Sequence, residues 1–247
     1  MSHPFLSIVI PAYKEAQRLG PTLDRILAWA QETALRGRVE ILVVDDGSPD
    51  ATADVARRYE EQTQQRPAKV RLVQNGRNRG KGYSVRNGVL AARGEQILFT
   101  DADLSTPIED YAVLAQALES HPIAIGSRAL ATSNVAVHQP KYREAMGRVF
   151  NRIVQGLAVP GIEDTQCGFK LFRAGVAQEL FRSVTIHGFA FDVEVLHLAQ
   201  RRGHAIAEVP VTWRNDERSS VSPIRDSARM FRDVLTIRLR HARGVPS

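Results

Sequence analysis

Two aspartates one residue apart, at the end of an apolar run, carry the strongest chemical signal in this chain. The run is Gln96-Ile97-Leu98-Phe99-Thr100, and the acids are Asp101 and Asp103 with Ala102 between them. A short apolar run that begins after Gly94 and ends in polar residues reads as a buried strand. Two carboxylates at the mouth of such a strand repel each other unless a cation stands between them. Hard divalent ions such as Mg²⁺ or Mn²⁺ take carboxylate oxygens and share them with substrate phosphates. Asp101 and Asp103 are therefore expected to hold a metal and, through it, a diphosphate. The rival reading is a solvated loop carrying two acids by chance, since short patterns recur.

The elements around the pair explain how it is positioned. Ser7–Ile10 is an apolar strand stopped by Pro11. A helix with Leu23, Ile26, Leu27, Ala30 and Ala34 on one face follows Pro21. Ile41–Val44 is a second strand ending in Asp45-Asp46-Gly47-Ser48, with a helix expected from about Ala51 to Gln62. Val70–Val73 is a third strand, and a Gly/Asn/Arg loop over Asn75–Gly82 leads into another helix. Thr106-Pro107-Ile108-Glu109 reads as a capping box with proline at the first helical position. Ile123–Ile125 is a further strand, ending in Gly126-Ser127-Arg128. Strands alternating with helices predict an α/β protein with a mostly parallel sheet. Ligands of open α/β sheets bind outside the carboxyl ends of the strands. The pattern thus gathers Pro11–Glu15, Asp45–Ser48, Lys81 and Asp101–Asp103 on one edge.

The second half is less regular. Ala129–Pro140 has no periodicity and is expected to be a mobile surface loop. Tyr142, Met146, Val149, Ile153 and Leu157 mark one helix face. Asp164–Lys170 is a polar stretch, Phe191–Arg202 a helix, and Ala205–Trp213 a strand. No internal repeat, low-complexity tract or linker stands out.

Composition narrows the classes. With 43% hydrophobic and 24% charged residues, the chain of 247 residues is an ordinary globular sequence. The lone Cys167 excludes an internal disulfide or a multi-cysteine zinc site and reads as a packed thiol. Met1–Leu6 lacks the charged start and apolar core of a secretory leader, and no window offers ~20 uninterrupted apolar residues. Net charge is +6, and 28 of the 33 basic residues are arginine, the cation suited to bidentate phosphate contacts. The arginines form no aromatic-interleaved patch and no nucleic-acid motif is present, so no nucleic-acid partner is expected.

Taken together, VIPAYKE (9–15), VVDDGSPDAT (43–52), NRGKGYSVRNG (78–88), TDADLSTP (100–107), GSR (126–128), DTQCGFKLF (164–172), GFAFDVEVL (188–196), EVPVTW (208–213) and RDSARMFRDVLTIR (225–238) resemble the family 2 glycosyltransferases of the GT-A fold. Within that family the likeness is to the dolichyl-phosphate glucosyltransferases and their bacterial polyprenyl-phosphate relatives, and it spans nearly the whole chain. The resemblance implies a Rossmann-like, mostly parallel but mixed sheet flanked by helices, in a single catalytic domain over 1–247. That domain would comprise a nucleotide-sugar half (1–104), an acceptor half (105–215) and a basic amphipathic tail (216–247).

Carried onto this sequence, the resemblance implies that Pro11, Ala12, Tyr13 and Glu15 line the nucleoside pocket. Asp46, with Asp45 beside it, would accept from the base N3–H, and Lys81 would approach the nucleotide between Gly80 and Gly82. Asp101, Ala102 and Asp103 would hold the donor, with Asp101 and Asp103 on Mg²⁺ or Mn²⁺. Ser105 stands where mannosyl relatives often have a larger amide, which leaves a third metal position to water. Arg128 and Arg143 would meet the acceptor phosphate, while Gln166, Gly168 and Phe169 shape the acceptor side. Asp192 and Glu194 would be either catalytic or braces of that wall. Relatives often carry a glycine-serine-lysine tract after the last strand. Here it reads Glu217-Arg218-Ser219-Ser220-Val221, and Arg218 is its only cation.

The expected reaction is metal-dependent, inverting transfer of a hexose from a nucleotide sugar to a polyprenyl or dolichyl phosphate. The glucosyl likeness favours UDP-glucose. A phosphate acceptor is already ionised near pH 7 and needs no base, whereas a saccharide hydroxyl would require one of Asp164, Asp192 or Glu194. Rival readings are a hydroxyl-acceptor enzyme of the same family, mannosyl transfer from GDP-mannose, and a nucleotidyltransferase releasing pyrophosphate. A lipid acceptor implies a cytoplasmic protein peripheral to the membrane. The tail supplies a candidate contact: Ile224, Ala228, Phe231, Val234 and Leu235 follow helical spacing. Arg225, Arg229, Arg232, Arg238, Arg240 and Arg243 against Asp226 and Asp233 give it +4, which suits an anionic surface.

Overall fold

The computed structural model describes residues 3–66, 68–137, 151–214 and 223–242. The four apolar runs of the first half form β1 (Leu6–Ala12), β2 (Val39–Asp45), β3 (Lys69–Gln74) and β4 (Gln96–Thr100). They alternate with α1 (Leu19–Glu32), α2 (Thr52–Thr63) and α3 (Lys81–Ala91). A 3₁₀ turn over Ile108–Asp110 leads into α4 (Tyr111–Leu118) and β5 (Ile123–Ser127). Then come β6 (Asn134–Val137), α5 (helical over 151–157), β7 (Phe169–Arg173), α6 (Ala174–Ser183), α7 (Phe191–Arg201), β8 (Ile206–Pro210), β9 (Thr212–Arg214) and α8 (Pro223–Ala242).

Seven strands make one sheet in the order β3-β2-β1-β4-β7-β5-β8, and β6 pairs with β9 in a separate ribbon. Every pair in the large sheet is parallel except those of β7, which runs antiparallel to β4 and β5. The sheet is covered on both faces. Ile41 and Val43 of β2 face α1, α2 and α4, whereas Leu42 and Val44 face the layer containing α3, α6 and α7, the period-two alternation of a strand. Since β1, β2, β4 and β5 run the same way, their carboxyl ends share one edge. Antiparallel β7 begins at that edge, with Phe169 opposite Thr100, so the stretch before it lies beside the end of β4.

Several local expectations give way. Ala129–Pro140 is not wholly irregular, because Asn134–Val137 forms β6 against β9; residues 138–140 lie outside the described residues. The segment Ala205–Trp213 is two strands in two sheets, broken at Val211, whose N–H donates to the Ser127 carbonyl at 3.3 Å. The capping box does not form. Pro107 is extended (ψ 143°) with no side-chain cap, and the helix proper starts at Tyr111. Thr106 Oγ1 instead lies 4.0 Å from Cys167 Sγ. On α5 the buried position is Val154, while Ile153 is exposed; Tyr142, Met146 and Val149 fall outside the described residues. Cys167 is buried, and burial pushes its thiol up to about 12, so it is the inert packed thiol that was expected.

Candidate active site

At the carboxyl edge the chain leaves β4 through a tight turn. Leu104 adopts a left-handed backbone (φ 47°), and its N–H donates to the Asp101 carbonyl at 3.3 Å. That conformation costs a non-glycine residue energy and is held by its surroundings. Two contacts hold it here: Thr22 Oγ1 of α1 donates to the Ala102 carbonyl at 2.6 Å, and Ser105 N–H donates to Asp103 Oδ1 at 2.9 Å. The turn folds Asp103 back towards Asp101. Burial and the neighbouring Asp101 charge both push the Asp103 carboxyl above the usual range. Asp101 N–H donates to the Gly168 carbonyl at 3.2 Å. A Cβ on Gly168 would collide with the Asp101 carboxylate, so any side chain there would push that carboxylate out of place.

The compensating cation is Lys81. Its Nζ lies 2.7 Å from Asp101 Oδ1 and 5.4 Å from the centroid of the Phe99 ring. Burial lowers the ammonium's affinity for its proton, but Asp101 and Asp192 outweigh it and hold the pKa above the usual value. Lys81 opens α3, whose entry is sealed by the loop before α7: Gly82 N–H donates to the His187 carbonyl at 2.8 Å. A Cβ at Gly80 or Gly82 would strike the His187 or Ile186 carbonyl. The cluster thus holds two acids against one lysine. Among the described residues no group of three or more His, Cys, Asp or Glu converges to hold a metal. The protein can offer a hard cation two carboxylates, one of them raised by burial and by the charge of the other, with the other positions open to phosphate and water. That donor set fits Mg²⁺ or Mn²⁺.

The neighbouring strand ends join this cluster. Asp46 N–H donates to the Ala12 carbonyl at 2.9 Å, Lys14 N–H to Ser48 Oγ at 3.1 Å, and Glu15 N–H to Thr52 Oγ1 at 2.8 Å. Lys14, like Leu104, is left-handed (φ 59°). Pro11 and Ala12 close β1, and Tyr13 is exposed beside them. Glu15 takes a bidentate contact from Arg18 at 2.6 and 2.8 Å. Burial nevertheless raises its carboxyl, with Arg18 opposing and the charges on Asp103 and Asp101 adding to the rise. Asp46 is directed inward. Its Oδ1 accepts from Asn75 Nδ2 at 2.8 Å and Arg79 N–H at 2.9 Å, and its Oδ2 accepts from Gly80 N–H at 2.8 Å. This carboxylate holds the loop that delivers Lys81. Asp45 Oδ1 accepts from Ser48 N–H at 3.2 Å.

On the other flank, Arg128 grips Asp164 with its backbone N–H, Nε and Nη2, at 2.9, 2.7 and 2.8 Å. Its guanidinium carbon also lies 5.4 Å from the Trp213 ring centroid. Burial raises the Asp164 carboxyl, but Arg128 overcomes that and holds it at about 2. Glu208 clamps the same loop by accepting from Glu163 and Asp164 N–H at 2.9 and 2.8 Å. Gln166 N–H donates to Asp164 Oδ1 at 3.2 Å, and its side-chain Nε2 is buried without a partner among the described residues. Asp192 and Lys170 form a buried pair at 2.6 Å, with Lys170 also donating to the Cys167 carbonyl at 2.6 Å. Burial pushes the Asp192 carboxyl up, and Lys170 and Lys81 pull it back. Glu194, fully buried, accepts from Thr185 and Ile186 N–H at 2.8 and 2.7 Å.

Asp101, Ala102, Asp103 and Lys81 therefore meet directly, and the β1 and β2 ends abut them. Asp192 and Glu194 lie in the wall behind, and Arg143 and Arg218 fall outside the described residues. The residues not foreseen are Lys170, Glu208, Trp213 and His187. Lys170 had a visible signal: a lysine inside Phe169-Lys170-Leu171-Phe172 implies a buried partner, because lysine is seldom buried unpaired.

This sheet and acidic edge define a GT-A transferase fold, and solved structures share it. A mannosyl-3-phosphoglycerate synthase from Rubrobacter xylanophilus superposes with a TM-score of 0.71 at 22% identity, over 99% of this chain and 76% of that one. A glucosyl-3-phosphoglycerate synthase from Mycobacterium tuberculosis, solved with Mn²⁺, UDP-glucose and phosphoglyceric acid, gives 0.68 at 18% identity, over 99% and 81%. Residues 7–181 match the model of glycosyl transferase family 2, and the chain belongs to that family; it is a glycosyltransferase. It is 37% identical to the dolichyl-phosphate beta-glucosyltransferase of Dictyostelium discoideum, over 98% of this chain and 76% of the relative. To the human protein of that name it is 38% identical, over 97% and 76%.

Proposed function

We propose that this enzyme transfers glucose, with inversion, from UDP-glucose to a polyprenyl or dolichyl phosphate at a bilayer surface. The near full-length likeness to dolichyl-phosphate beta-glucosyltransferases supports the sugar and the lipid class. The observation that carries the acceptor chemistry is the state of the three carboxylates able to serve as a base. Asp164 is held by Arg128, Asp192 by Lys170, and Glu194 by the Thr185–Ile186 backbone. A hydroxyl acceptor needs a base within reach. A phosphate monoester, ionised near neutral pH, does not.

Asp101 and Asp103 would hold Mg²⁺ or Mn²⁺, which when bound neutralises charge growing on the departing diphosphate. Asp46 keeps the 75–80 loop closed so that Lys81 stands at the diphosphate side. Pro11–Glu15 and Asp45 flank the nucleoside. Arg128, paired with Asp164, would face the acceptor side beside Trp213. The reading is tested by incubating the protein with Mg²⁺ or Mn²⁺, UDP-glucose or GDP-mannose, and either polyprenyl phosphate or oligosaccharide acceptors, with the product identified by mass. Glucosyl phosphopolyprenol is expected. Glucosylation of a saccharide hydroxyl with no lipid product would overturn it.

A further inference from the structure

We infer that α8 docks the enzyme onto a bilayer surface carrying acidic headgroups, through the face formed by Phe231, Leu235 and Leu239. Among the described residues no helix is long and apolar enough to cross a membrane, and α8 offers a surface that could meet a lipid-borne acceptor. The helix carries two apolar faces. Val234 and Ile237 are fully buried and Met230 packs with them, on the cluster that also contains α7 residues. This face docks α8 on the protein.

The second face is open to solvent among the described residues. Phe231 is 42% exposed, Leu235 38% and Leu239 70%. Their spacing of i, i+4, i+8 aligns them along one side of the helix. They are half of the six exposed large hydrophobic residues described in the chain, and Leu239 is the most exposed of all. Scattered apolar residues need no explanation, but a continuous stripe does.

Charge selects the occupant. Arg232 and Arg238 flank the stripe on its two sides, and Arg229, Arg232, Arg238 and Arg240 are all exposed. An apolar stripe edged by arginines matches an interfacial helix whose polar face meets anionic lipid. A second protein surface would have no general reason to supply acidic charge along both edges. The expectation from spacing alone joined Phe231, Val234 and Leu235 in one stripe. The structure divides them, giving Val234 to the core and Phe231 and Leu235 to the outside.

The placement also reaches the active site. Arg240 Nη1 donates to Thr185 Oγ1 at 2.9 Å, and Asp233 lies next to Gly188. Between those two residues is His187, whose carbonyl accepts from Gly82 at the entry of α3, one residue after Lys81. A helix lying on the bilayer would therefore rest against the loop that seals the catalytic lysine's helix.

The inference deepens the lipid-acceptor reading, yet its test needs no acceptor. Full-length protein is sedimented with phosphatidylcholine vesicles with and without phosphatidylglycerol, at low and high salt. Wild type should bind the anionic vesicles selectively and lose affinity as salt rises. The F231S/L235S/L239S variant should bind at least tenfold more weakly with an unchanged melting temperature. R232Q/R238Q should weaken binding by about fivefold for each charge removed. A single Leu239→Trp should shift its emission to the blue on anionic vesicles and be quenched by brominated lipid. Binding unaffected by the triple substitution would overturn the inference. So would a triple variant that changes oligomeric state while keeping its vesicle affinity, which would mark the face as a contact between copies. Vesicle binding without any transfer to polyprenyl phosphate would leave the docking intact and defeat the functional reading instead.

Discussion

The acids after β4 and the acids of the α7 wall are equally short side chains near one edge of the sheet, but they keep different company. Asp101 and Asp103 share a single lysine and are half-buried. Asp192, Glu194 and Asp164 are buried, and each is held by a partner of its own: a lysine, the N–H groups and hydroxyl of Thr185–Ile186, and an arginine. An acid left with surplus charge is a place to bind a cation. A buried acid paired with a cation or with donors of its own reads as a structural strut. Residue type alone cannot separate the two; partners can.

Breaking the first group should cost activity without fold. Asp103→Ala removes a carboxylate whose burial is already unfavourable, so its melting temperature should stay at or slightly above wild type. Transfer should fall by about 10³-fold, the scale of losing one electrostatic stabiliser of a transition state. Initial rates and thermal unfolding of the same preparation check both halves. Full activity would remove the pair from the chemistry.

Breaking the second group should do the reverse. Asp192→Ala leaves Lys170 buried and unpaired and should destabilise by about 3–5 kcal/mol, as the loss of one partner of a buried pair does. The double replacement D192L/K170M should recover most of that in urea unfolding, since an apolar pair of similar volume needs no solvation. If the double variant is stable and also transfers glucose, Asp192 is a strut. If it is stable and dead, Asp192 touches the reaction and the comparison fails.

Asp164 gives the wall a pH signature. Its folded carboxyl lies at about 2, against about 3.9 in an unfolded chain. As pH falls the unfolded state takes the proton first, so the contribution is complete above about pH 4 and fades towards pH 2. Its size is about 2–3 kcal/mol. Chemical denaturation between pH 2 and 5 should show a shallower acid slope in Asp164→Asn than in wild type. Identical slopes would mean that Arg128 does not hold that carboxylate in solution.

The same contrast explains what the sequence revealed. The first half was legible because β1, β2 and β4 are uninterrupted apolar runs and their ends carry glycine and aspartate, whose turn chemistry is local. The strand β7 was not, because Lys170 interrupts its apolar pattern and its partner, Asp192, is 22 residues away. The edge ribbon of β6 and β9 is too short to show a period. Thr106 and Glu109 had the spacing of a cap, but the sequence could not show that Thr106 would lie against Cys167. Asp46 looked like a ligand for a base. Its three donors come from residues 75–80, a tertiary contact invisible from the tract Asp45–Ser48.

The smallest effect concerns Lys81, which stands between the two groups. Its ammonium lies 2.7 Å from Asp101 Oδ1, with the lysine side chain 23% and the aspartate side chain 32% exposed. A divalent ion approaching that oxygen must displace the ammonium or share the oxygen with it. A half-buried pair still partly screened by water contributes about 1 kcal/mol, which sets the competition at about fivefold. Lys81→Met keeps the side-chain length and removes the charge. Its affinity for Mn²⁺, followed without nucleotide by the electron-spin signal of the free ion, should therefore rise by up to about fivefold at neutral pH. Under the proposed role of Lys81 beside the diphosphate, transfer should nevertheless fall. Tighter metal with slower turnover would show that Lys81 stands in for the ion until substrate arrives. Unchanged or weaker Mn²⁺ binding would show that the ammonium helps to build the acidic cluster instead of competing for it, and Lys81 would then belong with the struts.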